Sequence, residues 1–304
     1  MRRLTLDVGP ADAGERLDRF IAGRGGIARG LARRVLDAGG VFLDGRRCKV
    51  AGRLLHGGQR VVVNLEEGGR AAAGGAALDR ARLLYADADV AAVDKPAGIP
   101  AQPTLTTDRG TLPELAGALL GAPVTLVHRL DRETSGVTVF ARSARAATAL
   151  AEAFRSGAAE KTYLALTARA PEPTHGRLAA ALGKDPARPG TRRVDPAGEA
   201  AATAYRTLAA GAAAALVEAS PETGRTHQIR VHLAHLGAPL LGDARYGGPR
   251  RVGELAIPRV MLHARRLALQ HPVTGARLTF EAPVPEDLLL VGEALLGVGV
   301  LAAR

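Results

Sequence analysis

The side chains best placed to do chemistry lie in His128-Arg129-Leu130-Asp131-Arg132-Glu133, where five of six residues are ionisable. Apolar runs flank them, Val124, Leu126 and Val127 before and Val137, Val139 and Phe140 after, so the pattern reads strand, charged loop, strand. That many charges beside two buried strands are costly unless they are paired or used. The stretch is therefore either a solvated turn with a chance charge cluster or a cleft in which one carboxylate, Asp131, is held among cations.

Two further residues could serve such a carboxylate. Lys161 to Leu166 reads as a strand with Lys161 and Tyr163 on one face and Leu164 and Leu166 on the other. A tyrosine with its hydroxyl at a rim is common in any protein, and the strand alone favours that reading of Tyr163 over catalysis. Arg230 falls in the first turns of a helix with an apolar face of Ile229, Leu233 and Leu236, a candidate N-cap at Thr226 and a stop at Gly237. The macrodipole disfavours a cation there; a negative partner would offset this, and Asp131 is the candidate. Metal chemistry is not expected, because His227, His232 and His235 do not follow the i, i+4 zincin pattern and have no Glu between them. Ser135 lacks the G-x-S-x-G setting of a hydrolase nucleophile, and no Walker A or dinucleotide fingerprint occurs.

The elements that must position these residues follow from the chain. Its 304 residues, 47% apolar, allow one large domain and a small one. The net charge of +11 favours a polyanionic partner over a merely basic soluble protein. One cysteine, Cys48, excludes an internal disulfide and is read as structural, in a short strand. No signal-peptide pattern and no apolar run long enough to span a bilayer occur, so a cytoplasmic protein is expected. Residues 1–65 read as a small basic module of two helices and short strands, with Arg29, Arg33 and Arg34 on the second helix and Arg46 on a hairpin turning at Asp44-Gly45. Residues 66–80 read as a flexible linker, and a large domain fills 81–304. Within it, Ser143 caps a helix closed by Gly157, and residues 170–200 read as a mobile basic insertion or a plain solvated loop.

His-Arg-Leu-Asp-Arg-Glu-Thr-Ser-Gly from His128 to Gly136 resembles the catalytic motif of the RluA-type pseudouridine synthases, with Asp131 at the essential aspartate. Other motifs agree in order: Lys95-Pro96-Ala97-Gly98-Ile99-Pro100, Lys161-Thr162-Tyr163, the run from Gly224 to Gly237, Gly242-Asp243-Ala244-Arg245-Tyr246-Gly247, and the closing pattern at His263 and His271. Arg16-Leu17-Asp18-Arg19-Phe20 and Gly40-Val41-Phe42-Leu43-Asp44-Gly45-Arg46 resemble an S4 RNA-binding domain.

The resemblance implies an α+β fold: a catalytic domain on a mixed, mainly antiparallel central sheet, preceded by a small α/β S4-like RNA-binding domain. It implies an isomerase acting on structured RNA without cofactor or metal, most often large-subunit ribosomal RNA, with transfer RNA as the second choice. A non-catalytic S4-type ribosome-assembly factor is the alternative of another class. It further implies that the target base leaves its stack, that Arg129 fills or supports the vacated space, that Asp131, Tyr163 and Arg230 are catalytic, and that Tyr163 stacks on the base or removes a proton. His128, Lys95, Arg132, Arg225, His227, Arg29, Arg33, Arg34 and Arg46 are the remaining candidate RNA contacts, with Lys95 either touching a substrate phosphate or bracing its own proline-bounded loop. A monomer with no membrane association is expected.

Overall fold

The computed structural model describes residues 2–65, 77–103, 105–106 and 110–301. The linker read over 66–80 falls outside the described residues as far as residue 76. The chain forms two compact units, one of Met1–Leu78 with Pro100–Gly121 and the other of Asp79–Ile99 with Ala122–Arg304. The second unit is thus interrupted in sequence, an arrangement that a single boundary near residue 81 does not describe.

In the first unit, β1 (Arg2–Asp7), α1 (Leu17–Gly25), α2 (Arg29–Ala38), β2 (Val41–Leu43), β3 (Arg46–Arg47) and β4 (Arg60–Leu65) follow one another, and its second stretch carries α3 (Leu112–Leu120). The strands form an antiparallel sheet in the order β1-β4-β2-β3. Leu17, Phe20 and Ile21 from α1 and Val35 and Leu36 from α2 bury against Val61 and Val63 of β4. Asp44 (φ 50°) and Gly45 (φ 80°) both take positive φ, as a two-residue hairpin matching the strand twist requires. Cys48 is buried just beyond β3 rather than within a strand. Alternation of charged and apolar residues makes β1 half-exposed, and the sequence reading overlooked it.

The second unit is built on β5 (Leu83–Ala86), β6 (Val90–Lys95), β7 (Thr125–Leu126), β8 (Ser135–Ala141), β9 (Glu160–Thr167), β10 (His175–Ala179), β11 (Leu182–Lys184), β12 (Arg192–Val194), β13 (Ala202–Ala210), β14 (Ala215–Pro221), β15 (Arg251–Val252), β16 (Leu255–Ala256), β17 (Leu262–Gln270) and β18 (Arg277–Glu281). The main sheet runs β10-β13-β14-β9-β17-β8-β6-β5, with β18 added to β17 and β7 to β8. Its described pairings are antiparallel except β17 with β8, giving the mixed, mainly antiparallel sheet that was expected. Gly136 makes the parallel pair possible: at φ 113°, a Cβ there would lie 2.2 Å from the Ala264 carbonyl oxygen. Helix α4 (Ala144–Ser156) starts where Ser143 Oγ accepts the Ala146 N–H at 3.2 Å, and its Leu150 packs on Val137 and Val139 of β8. Helix α5 (Gln228–His235) follows β14, and α6 (Glu286–Leu296) closes the chain against Leu164 and Leu166.

Two expectations need correction. Residues 170–200 are not a loop: they carry β10 and the β11–β12 hairpin, whose Leu182 and Val194 pack on Val231 of α5. Short strands split by Pro and Gly hid that periodicity. The N-cap of α5 is His227 at φ 60°, not Thr226.

Candidate active site

Asp131 sits on the loop between β7 and β8, and that loop is held from below. Lys95 at the end of β6 is fully buried, and its Nζ donates to the carbonyls of Pro96 (3.0 Å), Arg132 (3.0 Å) and Thr134 (2.7 Å). Gly98 N–H also donates to the Arg132 carbonyl at 2.7 Å, and Arg132 Nε returns a bond to the Gly98 carbonyl at 2.9 Å. Burial pushes the Lys95 ammonium down to about 7, with the Asp131 charge acting the other way. Lys95 thus braces the loop through these carbonyls, and the Nε edge of Arg132 serves the same brace. Arg259, from a different stretch, adds a bond to the Glu133 carbonyl at 3.2 Å and pairs with Asp287 at 2.6 Å.

Above the loop, α5 supplies Arg230, which spends three N–H donors on two carboxylates. Its Nη1 donates to Asp131 Oδ2 at 2.9 Å, while Nε and Nη2 grip both oxygens of Asp243 at 2.6 and 2.8 Å. The guanidinium lies 5.1 Å from the centre of the Tyr246 ring. Burial acts against its charge, but the Asp243 hydrogen bonds and the two carboxylates outweigh it and raise its pKa above the ordinary arginine value. The macrodipole conflict at the start of α5 is thus resolved by two anions, not one. Asp131 is the more open of the pair, with its side chain 19% exposed against 1% for Asp243.

His227 closes the other side. Tyr246 Oη accepts the Arg192 N–H at 2.8 Å and shares a hydrogen bond with His227 Nδ1 at 2.7 Å. Burial pushes the imidazole down to about 4, so the ring is neutral at neutral pH, and its Nε2 lies 3.8 Å from Asp131 Oδ2. That is beyond hydrogen-bond reach. A left-handed backbone at a non-glycine residue costs about 1–3 kcal/mol, and here it turns the His227 ring back toward Asp131.

These groups open on a cavity of about 390 Å³ lined also by Tyr163, Lys161, His128, Arg129 and Arg225. Tyr163, between Ala219 of β14 and Ala264 of β17, faces it. Burial and the Asp131 charge raise the Tyr163 phenol above its ordinary value, so it is protonated at neutral pH and better suited to stacking than to removing a proton. His128 stacks on Phe154, ring centres 4.1 Å apart, and its Nε2 accepts the Val139 N–H at 2.9 Å. One edge of His128 is therefore structural. Arg225 bonds the Ala200 carbonyl and Glu199. Arg129 is exposed at the cavity and makes no hydrogen bond or ion pair with the described residues.

The sequence-predicted residues do not all gather here. Arg29, Arg33, Arg34 and Arg46 belong to the first unit. Arg29 and Arg33 are anchored on the buried Asp18, at 2.9 and 3.3 Å, while Arg34 and Arg46 are exposed. Conversely, Asp243 and Tyr246 hold the site together but received no role from the sequence. The available signal was the Gly242-Asp243-Ala244-Arg245-Tyr246 run itself, an acid and an aromatic at a glycine-bounded turn.

A family described as RNA pseudouridylate synthase matches residues 89–235. An RNA pseudouridine synthase of Mycobacterium bovis is 36% identical over 299 residues, 94% of this chain and 96% of that protein. Ribosomal large subunit pseudouridine synthase D of Xanthomonas campestris pv. campestris is 37% identical over 280 residues, 86% of this chain and 82% of that protein. Among solved structures, human RNA pseudouridylate synthase domain containing 4 superposes with a TM-score of 0.57 at 29% identity, covering 69% of this chain and 91% of that one.

Proposed function

The chain belongs to the RNA pseudouridine synthase family, and from that premise we propose that it isomerises uridine in large-subunit ribosomal RNA through Asp131. Its class is that of an isomerase acting on RNA. The observation that carries the residue assignment is the carboxylate of Asp131, open to the cavity and fixed by Arg230, which Asp243 holds from behind. Net reaction replaces the N1–C1′ bond by a C5–C1′ bond, with one proton leaving C5 and one arriving at N1. Atoms and electrons balance without an oxidant or a transferred group. Asp131 serves as the carboxylate that bonds to substrate and is later released. Arg230 keeps it aimed, Tyr163 stacks on the extruded base, and Arg129 supports the gap left in the RNA.

The ribosomal assignment draws on relatives carrying that name, and the +11 charge is in keeping with a large folded RNA. Pure protein incubated with large-subunit rRNA transcripts and with transfer RNA, followed by chemical mapping of pseudouridine, tests it. Product in rRNA is expected. Product only in transfer RNA replaces the substrate, and tight binding with no product in either makes the chain a binding factor.

We also assign the S4-like role to the first unit, where Arg29, Arg33, Arg34 and Arg46 contact phosphates. Asp18 anchors the first two with their outer N–H groups toward solvent, side chains 45% and 56% exposed. Changing Arg33, Arg34 and Arg46 together to Gln is expected to lower the slope of log affinity against log salt by about 2–3, at roughly 0.7–0.9 per phosphate contact. The rate at saturating RNA stays near wild type. An unchanged slope removes these arginines from the RNA interface.

A further inference from the structure

Lys161 and Tyr163 project from one face of β9 into the cavity that holds Asp131. Lys161 Nζ donates to the Thr223 carbonyl at 3.2 Å, its one hydrogen bond with the described residues, and no described carboxylate pairs with it. An ammonium has three donors and a full charge, and a half-buried charge without a counter-ion is costly. Burial holds it below the ordinary lysine range, and its field helps push the neighbouring His128 imidazole down to about 3. The other cations of the cavity wall are differently placed. Arg230 is consumed by Asp131 and Asp243, Arg225 by Glu199, and Arg155 by Glu152, while Arg129 is exposed. Lys161 is the half-buried cation there whose anion the described residues do not supply.

A cation without a protein counter-ion at the wall of a cavity that takes RNA suits a phosphate oxygen, the group through which proteins set their position on nucleic acid. We propose that Lys161 receives a phosphate oxygen of the RNA backbone beside the target uridine and contributes to binding the RNA, not to the isomerisation step. The inference rests on the RNA-isomerase reading above. A rival source of the same anionic oxygen is the uracil ring as it detaches with the glycosidic electron pair, and the two sources separate experimentally.

Lys161→Met and Lys161→Arg are compared with wild type for equilibrium binding of an end-labelled, uridine-bearing RNA hairpin across salt, and for single-turnover rate at saturating RNA. Losing a phosphate contact is expected to weaken binding about tenfold at low salt and to reduce the salt slope by about 0.7–0.9. The rate at saturation stays within about threefold of wild type, the pattern of lost ground-state binding. Lys161→Arg restores the slope. RNA-free Lys161→Met unfolds at the wild-type temperature or above, because it loses an unpaired buried charge. An unchanged slope with a rate more than about tenfold lower overturns the proposal in favour of the detaching uracil. A lower unfolding temperature with unchanged slope overturns it in favour of a structural lysine. Binding is read without turnover, so a wild-type protein that binds but forms no pseudouridine defeats the functional reading and leaves the Lys161 comparison intact.

Discussion

Asp131→Asn is expected to abolish pseudouridine formation while leaving RNA affinity within a few-fold of wild type. The amide keeps the shape and one acceptor oxygen for Arg230 Nη1 at 2.9 Å. It does not give the anionic oxygen that can bond to substrate and leave again. Loss of a covalent step of this kind amounts to at least about a thousandfold, or about 4 kcal/mol in activation free energy. The structure removes the usual objection that an inactive variant is merely unfolded. Arg230 retains both Asp243 bonds when Asp131 is neutral, and the loop itself is fixed by backbone carbonyls gathered on Lys95. The melting temperature should therefore stay near wild type. Single-turnover assays on the rRNA transcript, with equilibrium binding beside them, check the point, and residual activity above about a tenth of wild type would remove Asp131 from the chemistry.

The catalytic loop, the Tyr163 strand and Arg230 were legible because each carries its reason locally: charge between two apolar runs, period-two alternation, and a cation at the wrong end of a helix. The pairing of Arg230 with Asp131, 99 positions apart, could be anticipated from that electrostatic misfit. What was not legible came from groups whose role exists only after folding. Lys95 could be read as a phosphate contact or as a loop brace, and only the fold shows three carbonyls converging on it. The β11–β12 hairpin is too short and too broken by Pro and Gly to show a period, and only its contact with α5 makes it an element. His227 in a left-handed conformation has no sequence signature at all; it follows from the bond of its ring to Tyr246 Oη and its place against Asp131. Asp243 was visible as a residue and invisible as a partner, since its one function is to be where Arg230 arrives.

Arg230→Ala is expected to destabilise the protein more than the loss of either acid it touches. It leaves Asp243, 1% exposed, as a buried carboxylate without its cation, and breaking a buried pair this way costs about 3–5 kcal/mol. Asp243→Ala is milder because the guanidinium keeps Asp131 and the face of Tyr246. Asp131→Ala is mildest, because the two-pronged grip of Asp243 survives and Asp131 is the partly exposed partner. The order expected in urea unfolding is therefore Arg230→Ala, then Asp243→Ala, then Asp131→Ala. Double-mutant cycles sharpen it: coupling of Arg230 with Asp243 should reach about 2 kcal/mol or more, and coupling with Asp131 about 1 kcal/mol. Activity is expected to follow a different order: Asp131→Ala is inactive with little loss of stability, whereas Arg230→Ala is inactive and also the least stable. Arg230→Lys recovers activity only in part, because one ammonium does not supply the planar fork that reaches two oxygens of Asp243 and one of Asp131 together. Strict additivity between Arg230 and Asp243, or a larger coupling to Asp131 than to Asp243, would mean that Arg230 is not held from behind, and the mechanism by which Asp131 is kept aimed into the cavity would have to be rebuilt around another residue.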